Sequence, residues 1–349
     1  MKTKIVEIKH DGEQNLVLKE AGEIIKAGGL VAFPTETVYG LGGDALNPES
    51  ACKIYAAKGR PSDNPLIVHI SDLGQLNELA EDIPEEAWRL AEAFWPGPLT
   101  MVLQKSERVP KETTGGLDTV AVRMPDHPAA LEFIRQAGGF VAAPSANLSG
   151  RPSPTSFKYV IEDMSGRIEM ILAGEDSRIG LESTIVDLTS DTYVILRPGY
   201  ITRDMLEKVL GRVETDPTLM DGSCTTAPRA PGMRYRHYAP KGELTLVKGE
   251  EGAVARRIAE EIRKAKAAGK KTGIICTKES FSHYQADSIK CLGGRRDEEA
   301  IAHHLYRILR EFDEEGVEII LSESFSEYGM GQAIMNRLLK AAGYRVIQL

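Results

Sequence analysis

Cysteine is scarce in this chain of 349 residues: Cys52, Cys224, Cys276 and Cys291 lie far apart, with no C-x-x-C pair. That spacing suggests neither a disulfide framework nor a zinc site. Cys276 and Cys291 fall in apolar, strand-like runs, where buried thiols are expected. No run approaches the roughly 18 apolar residues that a bilayer span needs. The opening Met1-Lys2-Thr3-Lys4-Ile5-Val6-Glu7 goes straight into charged residues and has no signal-peptide core. A cytoplasmic protein with no membrane partner is therefore expected. Positive charge is not in excess either: 43 Lys and Arg face 51 Asp and Glu, a net -8. That balance excludes a generally polyanion-coating protein, although local basic clefts stay possible. Apolar residues at 42% and charged residues at 27% describe an ordinary globular protein. The length exceeds one average domain, so two are expected.

Residues 1–210 read as a mixed α/β domain. Leu30–Phe33, Leu66–Ile70, Leu99–Leu103, Thr119–Arg123 and Phe140–Ala143 are short β-rich runs, several bounded by Pro or Gly. Helical patterns lie between them, as at 49–58 and 85–95; the second stops at Pro96-Gly97-Pro98. The irregular order predicts a twisted, open mixed sheet rather than a regular βαβ array. Residues 211–242 carry Pro217, Pro228, Pro231 and Pro240 and little apolar periodicity, so they read as a linker. A connection of ~30 residues is long, and long irregular segments are often functional. Residues 243–349 return to β-α-β alternation, which predicts a smaller, largely parallel sheet with helices on both faces. No G-x-G-x-x-G loop accompanies it, so dinucleotide binding is not supported.

Three loops carry convergent polar groups. Pro34-Thr35-Glu36-Thr37-Val38-Tyr39-Gly40 follows an apolar strand, as a ligand loop does, though a turn with locally bonded threonines fits equally. Lys58-Gly59-Arg60 precedes the strand that holds His69. Such cations can clamp phosphates or simply complement a helix C-terminus. Pro144-Ser145-Ala146-Asn147-Leu148-Ser149-Gly150 offers hydroxyls and an amide with little bulk, suited to a ribose or phosphate or to an N-cap turn. No G-x-S-x-G elbow surrounds Ser145, so it is a poor candidate nucleophile. Further on stand Ser183-Thr184-Ile185-Val186-Asp187, Arg197-Pro198-Gly199 and the cationic, aromatic run Pro231–Pro240. That run could cover a bound base or pack between domains.

In this order the six segments resemble the YrdC-like family, in its long two-domain threonylcarbamoyl-AMP synthase form. The resemblance implies a concave, cationic YrdC-like domain over 1–210 and a linker over 211–242 that covers the active site. A Rossmann-like domain over 243–349 completes the layout. It also implies a nucleotidyltransferase that turns L-threonine, bicarbonate and ATP into threonylcarbamoyl-adenylate and pyrophosphate. A separate tRNA threonylcarbamoyl transferase complex would then use the product to modify tRNA. Carried onto this chain, Thr37, His69, Arg123 and Ser183 would hold threonine. Lys58, Arg60, Asn64, Thr119, Ser145, Asn147, Ser153, Arg197 and Tyr235 would hold ATP, with Lys58 and Arg60 also catalytic. Magnesium would be bound through the ATP phosphates, with no dedicated protein metal site.

Two other readings compete. An RNA-binding module would use the cleft without ATP turnover. Segment charges oppose it: residues 1–210 hold 21 cations and 31 anions, net -10; the linker holds 5 and 3, net +2; the last segment holds 17 and 17. Stable nucleic-acid binding is therefore not expected. A carbamoyl-phosphate-using maturation enzyme would need acylphosphatase or zinc-finger-like segments, which the chain does not show.

Overall fold

A computed structural model describes residues 2–8, 14–219, 229–231 and 237–349. Tyr235 and Cys224 lie outside the described residues. The first sheet has eleven strands. In chain order they are β1 (Lys4–Glu7), β2 (Val31–Phe33), β3 (Gly40–Asp44), β4 (Ile67–His69), β5 (Leu99–Gln104), β6 (Thr119–Arg123), β7 (Val141–Ala142), β8 (Met170–Ala173), β9 (Thr184–Asp187), β10 (Tyr193–Arg197) and β11 (Val213–Thr215). Their spatial order is β1-β8-β2-β3-β7-β4-β6-β5-β9-β10-β11, with parallel and antiparallel pairs mixed. Helices 14–26 and 128–136 bury Leu18, Ile25, Phe133 and Ile134 on one face. Helices 48–58, 85–94 and 157–164 cover the other with Ile54, Leu90 and Val160.

The second sheet comprises β12 (Glu243–Lys248), β13 (Thr272–Cys276), β14 (Ser288–Cys291), β15 (Ile319–Glu323) and β16 (Val346–Gln348). All its pairs are parallel, in the order β14-β13-β15-β12-β16. Helix 251–267 packs on one face through Val254, Ile258 and Ile262. Helices 298–315 and 331–341 pack on the other. That second face is also the seam between the domains, since Val38 and Leu181 of the first domain share its core with Leu305, Tyr306 and Leu338.

Two expectations meet differences here. Strand β11 pairs parallel with β10, so the chain is still part of the first sheet well inside the segment expected to be linker. Cys276 is buried, whereas Cys291 is only half-buried because β14 is an edge strand with one neighbour. Among the described residues, no helix is long and apolar enough to cross a membrane.

Candidate active site

Residues far apart in the chain converge because several loops leave the first sheet at the same place. The turn after β2 carries Thr35, Glu36 and Thr37; β4 and β6 end on His69 and Arg123; the loop after β7 carries Ser145; β9 is preceded by Glu182 and Ser183; β10 ends on Arg197. Parallel pairing of β4 with β6 places His69 opposite Arg123. Gly199 allows β10 to turn back closely on β9, since a Cβ there would stand 2.5 Å from the Thr184 nitrogen. Thr37, Arg60, His69, Arg123, Ser145, Ser183 and Arg197 all line one cavity with about 60 Å³ of free space. Pro231, His237 and Tyr238 of the connecting segment form part of its wall.

At one end Arg123 is buried and donates from Nη2 to Glu36 Oε1 at 2.6 Å and from Nη1 to Thr37 Oγ1 at 2.9 Å. Thr35 Oγ1 lies 2.9 Å from Thr37 Oγ1 and donates to the Val38 carbonyl, so the turn is rigidified by its own hydroxyls. The second oxygen of Glu36 is buried without a partner among the described residues. Beside it, burial and the Arg123 charge push the His69 imidazole down to about 3. His69 Nδ1 faces the Ile67 carbonyl at 3.1 Å, so that nitrogen carries the proton of a neutral ring.

Across the cavity Arg197 donates from Nε to the Ser183 carbonyl and from Nη2 to Ser183 Oγ, each at 3.0 Å. Ser183 Oγ also contacts Thr100 Oγ1 at 2.8 Å. Burial lowers Arg197 and takes Arg60 down to about 10, so both guanidiniums stay charged at neutral pH. Arg60 donates to the carbonyls of Asn64 (3.2 Å) and Pro65 (3.0 Å). Burial likewise holds the Glu182 carboxyl up, but Arg337 and Arg197 outweigh it and bring it to about 2.

The remaining expected residues stand behind or beside this wall. Lys58 does not line the cavity. Its buried ammonium donates to the carbonyls of Ser145 and, at 2.6 Å, of Asn147, and so braces the Pro144–Gly150 loop. Burial lowers it well below an ordinary lysine. Ser145 Oγ donates to Asn147 Oδ1 at 2.6 Å, and Ser153 Oγ to Glu182 Oε1 at 2.6 Å. Asn64 and Thr119 do not line the cavity. By the register of Ile67 with Ala121 they lie together near the N-terminal ends of β4 and β6, joined to the cavity through Arg60. Asn64 is 1% exposed, yet neither polar atom of its amide has a partner among the described residues. Its donors and its acceptor are therefore unspent within the described residues.

Sequence reasoning left out Glu36, Glu182, His237 and Tyr238 as site residues. Glu36 stood inside a quoted motif and Glu182 just before one, and both could have been flagged as the counter-charges that buried arginines require. Arg229 pins the connecting segment to Asp187 (3.1 Å) and Asp216 (3.0 Å), and the Ala239 nitrogen ties it to the Gly150 carbonyl at 2.8 Å. Burial and Arg60 push His237 down to about 3.

Buried arginines facing hydroxyls and a neutral histidine, roofed by the connector to a second α/β domain, define a two-domain enzyme of small anionic substrates. Comparison with known proteins gives the family. A family model described as "Telomere recombination" matches residues 23–199, and one described as "Threonylcarbamoyl-AMP synthase, C-terminal domain" matches 201–343. A threonylcarbamoyl-AMP synthase of Pyrococcus abyssi is 52% identical over 332 residues, covering 95% of this chain and 96% of the relative. That of Bacillus subtilis is 47% identical, covering 95% and 94%. The crystal structure of P. abyssi Sua5 complexed with L-threonine superposes with a TM-score of 0.93, at 49% identity and full coverage of both chains. The chain belongs to the Sua5/YrdC family of threonylcarbamoyl-AMP synthases, in its two-domain form.

Proposed function

We propose that this protein joins L-threonine, bicarbonate and ATP into L-threonylcarbamoyl-adenylate and pyrophosphate, supplying a transferase that modifies tRNA. The observation that carries the reading is the single cavity in which Arg123, His69, Thr37 and Ser183 meet Arg60 and Arg197. Arg123 brings its positive charge to the threonine carboxylate, which takes over the Nη1 bond now made to Thr37 Oγ1 while Nη2 stays on Glu36. Thr37, Ser183 and neutral His69 supply hydrogen bonds to the amine and hydroxyl. Arg60 and Arg197 face the triphosphate, and the orphaned Asn64 amide beside Thr119 takes the nucleoside end.

The amine attacks the bicarbonate carbon and loses a proton as the C–OH bond breaks and water leaves, giving the carbamate. A carbamate oxygen then attacks the α-phosphorus as pyrophosphate leaves. Holding three reactants together and neutralising phosphate charge supply most of the rate, so no protein nucleophile is called for. Among the described residues, no three His, Cys, Asp or Glu side chains gather at one point. Glu36 and Glu182 are engaged by arginines. Magnesium therefore fits as a companion of the phosphates, held by their oxygens and water. The free volume of about 60 Å³ is well below the roughly 300–1,000 Å³ of ligand pockets. The nucleotide enters only when Pro231, His237 and Tyr238 give way, so the connector works as a door. Interior placement of the cations suits a small anion rather than a nucleic-acid backbone.

The test mixes protein, ATP, magnesium, bicarbonate and threonine and omits one component at a time. Pyrophosphate that forms only in the full mixture is the expected result. Release that persists without threonine overturns the reading, as does tight, salt-sensitive tRNA binding with no ATP turnover.

A further inference from the structure

The second domain reaches into the first with three side chains that the reaction as described does not use. Arg337 is fully buried, donates from Nε to Glu182 Oε2 at 3.0 Å, and from Nη1 to the Pro198 carbonyl at 2.9 Å. Tyr306 donates its hydroxyl to the same Glu182 oxygen at 2.9 Å and stacks on Tyr238 of the connector, with ring centroids 5.2 Å apart. The other Glu182 oxygen accepts from Ser153. Arg310, 1% exposed, grips Asp163 with both terminal nitrogens (3.1 and 2.6 Å) and the Pro152 carbonyl from Nε and Nη2 (3.0 and 2.6 Å). Asp163 in turn accepts from the Leu148 nitrogen and from Arg151. These bonds end on Glu182, which holds Ser153, on Pro198 beside Arg197, and on Pro152 and Asp163, which hold the loop that carries Asn147 and Ser153.

We propose that the second domain completes the nucleotide half of the active site: Arg337 and Tyr306 fix Glu182 and, through it, Ser153, while Arg310 fixes the 147–153 loop. This rests on the function proposed above and names what holds its ATP end in place. Fold stability alone does not account for the arrangement, since buried ion pairs are often replaceable by apolar contacts at no cost in stability. The side-chain hydrogen bonds of the threonine end, by contrast, stay within the first domain: Arg123 to Glu36 and Thr37, and Ser183 to Thr100 and Arg197. Arg337, Tyr306 and Arg310 are thus positioning residues for one substrate of three. The charged and titratable groups facing Glu182 are Arg337 and Tyr306 from the second domain, Arg197 from β10, Lys58 from helix 48–58, and His237 and Tyr238 from the connector. With Arg337 gone, burial drives the Glu182 carboxyl upward, towards the pH range of the assay.

The test uses the full chain carrying Arg337→Met, Arg310→Met or Tyr306→Phe, the last keeping the ring stack and losing one hydroxyl. Pyrophosphate release is measured against ATP and threonine separately, and threonine binding by calorimetry without ATP. For Arg337→Met and Arg310→Met the KM for ATP rises roughly tenfold, the effect of one lost charged hydrogen bond. For Tyr306→Phe it rises about threefold, and threonine affinity stays within about twofold in all three. In Arg337→Met, kcat/KM for ATP also falls more steeply than the parent's as the pH drops from about 7 to about 5. Should Arg337→Met not fold, Tyr306→Phe decides the matter. Variants that melt earlier yet keep the parent's KM for ATP and pH profile show a plain interface and overturn the proposal. A parent that releases no pyrophosphate overturns the functional reading as well, so the two failures are told apart.

Discussion

Both domains carry charged side chains at the ends of their strands, but they treat them differently. In the first, arginines from three elements point into one cavity beside an open, buried Asn64 amide. In the second, the corresponding place is a cavity of about 240 Å³ whose charged side chains are paired with one another. Arg295 is held by Glu323 at 2.7 Å and Glu251 at 3.1 Å, and Tyr284 donates to Glu323 at 2.7 Å. Helix 251–267 starts there, and Glu250 accepts from the Gly252 and Ala253 nitrogens, the position a phosphate would take. Strand-end geometry therefore leaves a cavity in both sheets, and in the second the charges around it are spent on one another. The second domain has turned its strongest cations, Arg310 and Arg337, towards the first.

Breaking that contrast begins with Arg123→Met. It strands the buried Glu36 carboxylate, so denaturant unfolding should show a loss of about 3–5 kcal/mol, and threonine binding should vanish in calorimetry. Next comes Arg60→Ala, which leaves the fold intact and lowers pyrophosphate release roughly 100-fold; near-parent turnover would remove Arg60 from the phosphate site. Arg295→Met, the matching change in the second domain, should leave turnover within about twofold of the parent, since its charge is spent internally. Glu250→Ala should lower the thermal midpoint slightly as a lost helix cap and change nothing in activity.

The smallest effect is in acid. His69 and His237 sit near 3 in the fold and near 6.5 when unfolded. The unfolded chain therefore binds more protons between those values, and stability falls as pH drops from about 6.5 towards 3. His69→Gln should flatten part of that slope in pH-dependent melting, and an unchanged slope would place the ring in water.

The second domain was legible almost element by element, because its helices and strands alternate with clean apolar periods. Much of the first was legible too, at Leu66–Ile70 and Thr119–Arg123, where β-branched residues dominate. Strand β3 was not: Gly-Leu-Gly-Gly-Asp opposes strand propensity and forms because β2 and β7 flank it. The cavity's arginines could be read from their motifs, whereas Lys58, expected to be catalytic and at the ATP phosphates, donates in the structure to the Ser145 and Asn147 carbonyls. Arg310 and Arg337 were invisible for a different reason. Their partners lie 147 and 155 residues away, and a cation inside an apolar helix pattern carries no hint of where its counter-charge sits.

The shared core at the seam has a consequence for how the molecule comes apart. Val38, in the turn that shapes the threonine end, packs in the same apolar cluster as Leu305, Phe312 and Leu338, with Tyr238 between. At Gly180 the backbones approach so closely that a Cβ would stand 2.5 Å from the Cα of His303. Neither half can therefore melt while leaving the other's apolar surface covered. Heating should give one calorimetric transition rather than two, and the chain is lost or kept as a single cooperative unit.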